Sequence, residues 1–407
     1  MVLPVPLRHI MPKSIKRWDV AVIGGGLAGT AAAIRLAGAG RKVLLLEKEV
    51  MAHDKVCGEF ISFEATRYLG ELGLDLEMLH AERITDMRLI RGKRTVSAKL
   101  PFHALSLSRR VLDEAMLLCA QSKGAHIRRG ATATAIEKES QGWRIKIAGA
   151  NDILAETIFL ATGKHDLRGR HRTGETQDDF IGFKMHFRLT SKQKIALAGH
   201  VEMILFNGGY AGLEPVEDGK ANLCLVVLKS HFVTYGKNWD GLLNKILEAT
   251  PLLANRLAGA EPCWRKPLSI FGIPYGFVYR VGRDAPSKLY RLGDQMAVIP
   301  SFSGYGMSIA LHTGMLAVEH YLHSDDVTYH RLARNSLLPL VRRASWLSKM
   351  AEFPLAQKGF LLACDIKPNL LTAIAAHTRI GRSGKPPQFS HVTHNGSFNS
   401  FDSKTHQ

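Results

Sequence analysis

The chain has no C-x-x-C pair, and its five cysteines, Cys57, Cys119, Cys224, Cys263 and Cys364, are odd in number and widely spaced. That spacing excludes a disulfide framework and a structural zinc site, and makes a reducing, cytoplasmic compartment the expectation. No uninterrupted apolar run reaches membrane-spanning length: the most apolar window, 20–36, holds four glycines and is broken by Arg35. The basic start, residues 1–17, has no apolar stretch ending in a small-residue cleavage site, so secretion is not expected. It reads as a basic extension, or as sequence ahead of a true start at Met11. Internal repeats and low-complexity blocks are absent as well.

Acidic residues are scarce, 36 against 54 Lys and Arg, for a formal charge of +18. This draws the protein toward anionic partners, yet the basic residues are spread along the chain, which argues against nucleic-acid recognition. An acidic carrier protein or an anionic membrane surface is the better-motivated partner. With 407 residues, 46% of them hydrophobic and 22% charged, the chain is long and apolar enough for two or three folded units.

What is present is a buried-type strand, Val20 to Ile23, running into Gly24-Gly25-Gly26-Leu27-Ala28-Gly29, an alanine-rich helix and a second apolar strand, Val43 to Leu46. This G-x-G-x-x-G sits between strand and helix, where it binds a dinucleotide: Gly24 makes the tight turn, Gly26 admits the pyrophosphate, and Gly29 lets helix and strand pack closely. The N–H groups at Leu27 and Ala28 open the helix toward the anion. Glu47 stands 21 residues after Gly26, placed to accept from both ribose hydroxyls and to repel a 2′-phosphate, so FAD or NAD is expected rather than NADP. A second strand-turn-helix, Arg291 to Met307, carries Gly293-Asp294 and Gly304-Tyr305-Gly306. There Asp294 is suited to a polyol hydroxyl, and the N–H groups of Gly306 and Met307 to the negative charge of a reduced isoalloxazine.

Together these motifs resemble the FAD-dependent oxidoreductases of the p-hydroxybenzoate hydroxylase superfamily, in the branch containing geranylgeranyl reductases and flavin-dependent halogenases, over about Trp18 to Tyr321. The resemblance implies an α/β fold: a Rossmann-type FAD-binding domain, an inserted antiparallel substrate sheet and C-terminal helices. The expected boundaries are 1–17 for the extension, 18–181 for the FAD region with small inserted strands, and 182–285 for the substrate sheet. Residues 286–382 then return to the FAD domain and its helices, and 383–407 form a polar tail. His391 and His394 lie in that tail as ordinary solvated histidines, and no metal site is expected.

The resemblance further implies that Arg109, in Ser108-Arg109-Arg110-Val111-Leu112-Asp113, contacts the FAD. It also implies that Lys55-Val56-Cys57-Gly58-Glu59 passes near the flavin. Cys57 is then the candidate catalytic residue, a proton donor to a substrate carbon, with a small buried turn residue as the equal alternative. Lys48, Lys55 and Gly163 complete the expected cofactor-binding set. Glu59 is either a solvated loop carboxylate or an orienting group behind the cofactor.

The family's hydroxylase Asp-Gly pair is missing: the strand runs into Ala161-Thr162-Gly163-Lys164, where Lys164 or Arg168 meets a nicotinamide nucleotide or simply forms a basic surface loop. The halogenase pattern W-x-W-x-I-P and the reductase pattern Y-x-W-x-F-P are absent too; Phe271-Gly272-Ile273-Pro274-Tyr275-Gly276 stands in a comparable stretch and is expected at the pocket wall. No second dinucleotide motif exists for NAD(P)H, the expected electron donor. The reading at this level favours a monooxygenase acting on an apolar aromatic, phenolic or polyketide-like molecule, with a reductase of prenyl or polyketide C=C bonds as the alternative. A halogenase or a non-catalytic flavin-binding protein ranks below both.

Overall fold

The computed structural model describes residues 17–172, 179–282, 285–367 and 369–377. The N-terminal extension up to residue 16, both candidate starts, and the tail with His391 and His394 lie outside the described residues. In chain order the first part comprises β1 (Arg17–Ile23), α1 (Leu27–Gly38), β2 (Val43–Leu46), β3 (Phe60–Ile61), α2 (Phe63–Glu71), β4 (Glu82–Arg91) and β5 (Arg94–Ser106). It continues with α3 (Arg109–Ser122), β6 (His126–Arg128), β7 (Ala133–Glu139), β8 (Gly142–Ile147) and β9 (Ile153–Leu160). The middle holds β10 (Phe180–Arg188), α4 (Ser191–Leu197), β11 (Gly199–Phe206), β12 (Gly209–Val216), β13 (Lys220–Leu228), α5 (Lys229–Thr234), α6 (Trp239–Ala249) and α7 (Pro251–Leu257). Last come β14 (Glu261–Pro262), β15 (Leu268–Phe271), β16 (Leu289–Arg291), α8 (Gly306–Leu322), α9 (Asp326–Glu352), α10 (Pro354–Ile366) and α11 (Asn369–His377).

The first sheet has the order β6-β2-β1-β9-β8-β7, with β16 also paired to β9. β6, β2, β1, β9 and β16 run parallel, and β7 and β8 extend the sheet antiparallel. The apolar runs of β1, β2 and β9 are buried on both faces because helices or the β7–β8 extension cover each side. One face packs Leu27, Ala31, Met116, Leu311 and Met315 from α1, α3 and α8; the other packs Trp143, Ile145 and Leu160. The alanines of α1 let α8 come close enough that a Cβ at Gly314 would run into the Ala28 carbonyl oxygen.

The second sheet has the order β14-β10-β13-β12-β11-β4-β5-β3, with β15 also on β10. Here the expected boundary needs correction: β3, β4 and β5 fall within 18–181 yet belong to this second sheet. The β4–β5 hairpin turns at Gly92-Lys93 and projects away from the parallel sheet, and its free edge is satisfied by β11, which pairs with β4 in parallel, Met203 opposite Leu89. The rest is antiparallel as expected, with Asn207-Gly208 turning β11 into β12. On β10, Phe183, Met185 and Phe187 point to a core shared with α6 and α7, while the intervening Lys184 and His186 point to the opposite face. On that opposite face Lys184 and His186 meet Asp54 and Glu59. Among the described residues no helix is long and apolar enough to cross a membrane.

Candidate cofactor and substrate site

Gly24 has φ +112, in the region only glycine occupies freely, and a Cβ there would strike the Ala161 carbonyl oxygen. Gly29 has no room either, lying against Gly24 and Val22. Gly26 differs from both. Its backbone is ordinary, with φ −80, and a Cβ would meet nothing nearer than Arg109 Nη2 at 3.8 Å and Lys55 Nζ at 4.0 Å. Neither fold nor packing requires glycine at this position. The missing side chain keeps open a hollow bounded by two cations at the N-terminus of α1, as a bound pyrophosphate requires.

Those cations are fixed by one carboxylate. Asp113 accepts from Arg109 Nε at 2.8 Å, Arg109 Nη2 at 2.9 Å and Lys55 Nζ at 2.7 Å. Burial opposes its charge, but Arg109 and Lys55 hold its carboxyl below the usual range, and Asp113 in turn outweighs burial to raise Arg109. Two positive groups to one negative leave net positive charge in the hollow, matched to a pyrophosphate anion. Glu47 is buried at the end of β2 and accepts from Gly25 N at 2.8 Å and Glu49 N at 3.0 Å. Each carboxylate oxygen keeps acceptor capacity for a ribose hydroxyl. Leu27 and Ala28 are buried in the first turn of α1.

On the far side, the Gly163 carbonyl accepts from Gln295 Nε2 at 2.9 Å, which ties the turn after β9 to the Gly293-Asp294 turn, where Asp294 is half-buried. Gly304, at φ +70, lies against Phe60, and Gly306 and Met307 start α8. Lys48 is not brought into the cradle: it is exposed and pairs with Glu49 at 3.6 Å. Arg168 is exposed in a loop that Arg172 stitches to Asp166 at 2.9 Å. Ile273 and Tyr275 are buried in the cluster with Phe180, Leu205 and Val226, while Phe271 is exposed.

The Lys55 to Glu59 segment crosses between the two sheets. Cys57 is half-buried, its Sγ accepts from the backbone N–H of Glu59 at 3.4 Å, and Asn222 Nδ2 donates to the Cys57 carbonyl at 3.2 Å. Glu59 is wholly buried, with φ +60, and accepts from Lys184 Nζ, from His186 Nε2 at 2.7 Å and from the backbone N–H of Arg109 at 2.7 Å. Burial raises its pKa and Lys184 and His186 lower it, leaving it below the usual range; Lys184 is correspondingly raised by Glu59 against the effect of burial. Asp54, Glu59 and His186 lie close enough together to suggest a metal site, but Lys184 Nζ is within 3.4 Å of Asp54 and already supplies the cation. Of Glu59's two sequence readings, the solvated loop carboxylate does not hold, because Glu59 is fully buried.

Sequence reasoning missed Lys184, His186, Asn222 and Glu214. The available signal was the alternation Phe183-Lys184-Met185-His186-Phe187, polar residues at period two in a buried strand. Glu214 accepts from Asn222 Nδ2 at 2.9 Å and is buried without a cation of its own, so its pKa is pushed up to about 8, chiefly by desolvation. Its carboxyl therefore holds its proton to higher pH than an ordinary glutamate does. Asn222 Oδ1 is buried without a hydrogen-bond partner among the described residues. Beyond this polar end the same face is apolar, with Leu205, Val226, Phe180 and Tyr210. Ser301 Oγ there lies 2.6 Å from Tyr210 Oη and 2.9 Å from Tyr275 Oη.

Residues 18–215 match the family model described as pyridine nucleotide-disulphide oxidoreductase. The chain is 25% identical over 317 residues to a menaquinone reductase of Mycobacterium tuberculosis, covering 74% of this chain and 76% of that protein. It is 26% identical over 340 residues to digeranylgeranylglycerophospholipid reductase 2 of Methanopyrus kandleri, covering 78% and 81%. Among solved structures it is similar to the flavin-dependent brominase Bmp2, with a TM-score of 0.73 at 18% identity over 89% of this chain and 93% of that one.

Two outcomes follow from this geometry. Gly26→Val should leave the apoprotein folded, with wild-type circular dichroism, yet abolish the visible flavin band; stoichiometric flavin in the variant would contradict the cradle. Glu214 has a folded-state pKa above its unfolded value, so it costs stability as pH rises from about 4.3 toward about 8, and nothing below that window. Glu214→Gln should therefore match wild type in urea unfolding at the acid end and exceed it at the alkaline end. A variant less stable than wild type at the alkaline end would refute the assignment.

Proposed function

We propose that this chain is an FAD-dependent oxidoreductase similar to the p-hydroxybenzoate hydroxylase superfamily, and that it hydrogenates a carbon–carbon double bond in an unsaturated, prenyl-like chain. The observation that carries this reading is the buried Glu214 carboxyl, with its proton affinity raised by desolvation, linked through Asn222 to the Cys57 segment beside the cofactor cradle. Saturating an alkene takes a hydride on one carbon and a proton on the other. FAD, reduced by a donor such as NAD(P)H, supplies the hydride when bound. Lys55, Arg109, Glu47 and the Gly24 to Gly29 turn would hold the cofactor, Gly306 and Met307 would offer N–H groups to its reduced ring, and Glu214 or the Cys57 thiol would supply the one proton that completes the addition. Glu214 is re-protonated from water near neutral pH because its affinity for a proton is raised.

The apolar end of the sheet face suits an aliphatic chain, with Leu205, Val226, Phe180 and the edge of Tyr210 against it. The named substrates of the two sequence relatives, a menaquinone and a digeranylgeranyl lipid, both carry such chains, and this reverses the order of preference that the motifs alone give. A second reading, oxygen insertion into a phenolic or polyketide-like molecule, draws on one observation: the Tyr210, Ser301 and Tyr275 hydroxyls form a hydrogen-bonding row at the wall suited to a phenol.

The deciding experiment incubates the FAD-loaded protein, reduced without oxygen, with geranylgeranyl lipids and menaquinone, and reads product mass. Products heavier by two hydrogens, formed anaerobically, are expected. Turnover that requires oxygen and adds one oxygen atom would refute the hydrogenation reading in favour of the second.

A further inference from the structure

α10 presents two opposed faces. Gln357, Leu361 and Cys364 point inward: Gln357 accepts from Arg91 Nε at 2.8 Å and donates to the Phe206 carbonyl at 3.1 Å, and Leu361 and Cys364 join the apolar cluster that contains Tyr210, Phe180 and Val226. The outward face carries Leu355, Leu362 and Ile366, seven and then four residues apart, a single stripe along a helix. Their exposures are 81%, 47% and 70%, and Phe353, just ahead of the helix, is 62% exposed. Trp346, near the end of α9, is 63% exposed. Large apolar side chains concentrated in this way, rather than scattered singly, mark an interaction surface.

The charge around the stripe indicates what covers it. From residue 342 to residue 367 the chain carries Arg342, Arg343, Lys349, Lys358 and Lys367 against Glu352 and Asp365, and all five of these cationic residues are exposed. An apolar stripe with a basic border and a neighbouring tryptophan matches a helix lying in the headgroup region of an anionic bilayer, its apolar side in the acyl boundary and its lysines on the phosphates. We propose that the outer face of α10, with Phe353 and Trp346, docks on an anionic lipid bilayer. The helix then stands between the bilayer surface and the apolar wall of the substrate face, so a lipid substrate has only one helix to pass. This surface stands on its own side chains and does not depend on the hydrogenation reading.

The test uses the FAD-loaded full chain and sedimentation with vesicles of phosphatidylcholine alone or mixed with phosphatidylglycerol. Wild type should sediment with the mixed vesicles and be released by high salt, with a blue shift of tryptophan emission that is lost in Trp346→Phe. Leu355→Ser/Leu362→Ser/Ile366→Ser should weaken binding by roughly tenfold or more while retaining the flavin spectrum and the melting temperature. Lys349→Glu/Lys358→Glu/Lys367→Glu keeps the stripe and should abolish the preference for phosphatidylglycerol. The proposal is overturned if wild type binds neither vesicle, or if the triple serine variant binds as well as wild type. It is equally overturned if light scattering shows a wild-type dimer that the serine variant dissolves, because the stripe would then be a contact between two copies of this chain.

Discussion

Glu59 accepts hydrogen bonds from three directions in a place no water reaches: Lys184 and His186 from the second sheet, and the backbone N–H of Arg109 from the first turn of α3. A carboxylate buried this deeply is tolerable only when its charge is met and its lone pairs are filled. Lys184, with no exposed surface, is equally dependent on it. Removing one partner of such a pair typically costs about 3–5 kcal/mol, because the other charge is stranded. The positive φ of Glu59 adds a backbone conformation that a non-glycine residue adopts only where its surroundings hold it. The position of Arg109, beside the hollow at Gly26, is thereby tied to β10, the strand that carries Lys184 and His186.

From that tie the division of the second sheet follows. One face of β10 is a conventional core against α6 and α7, and the other changes character along its length. Near Glu59 it is polar and densely hydrogen-bonded, with Lys184, His186, Asn222 and Glu214. Farther away it is apolar, and it is closed by Tyr275, the 301–303 turn and the inner side of α10. Chemistry that needs a proton and a reduced ring belongs at the polar end, and a long aliphatic chain extends naturally toward the apolar one. The same apolar end lies against the inner side of α10, whose outer stripe faces away from the protein.

The dinucleotide unit was legible in the sequence because each of its glycines answers a local constraint: a turn at Gly24, close packing at Gly29 and an open hollow at Gly26. The strand, helix and acid at 20–47 stand in one uninterrupted segment. The 291–307 segment was readable as a strand, glycine turn and helix start, whereas Arg109 was reachable only by resemblance, because its place depends on partners far along the chain. The β4–β5 hairpin was missed because its pairing with β11 spans more than a hundred residues and has no local signature. Lys184 and His186 escaped for a related reason: a charged residue in an apolar strand is explained only by its counterion, and Glu59 lies 125 and 127 positions away. Lys48, adjacent to Glu47, looked equivalent to Lys55 in sequence, but the turn of the chain sends it to solvent.

The most direct test of this account is the dissociation constant of FAD for Glu59→Gln beside wild type, measured by fluorescence quenching on protein that still unfolds cooperatively. If Glu59 fixes Arg109 through its backbone N–H, FAD should bind the variant roughly tenfold or more weakly, although Glu59 is not among the residues proposed to hold the cofactor. Unchanged FAD affinity alongside a lowered melting temperature would show that Glu59 serves only the core, and that the cradle is set independently of the substrate sheet.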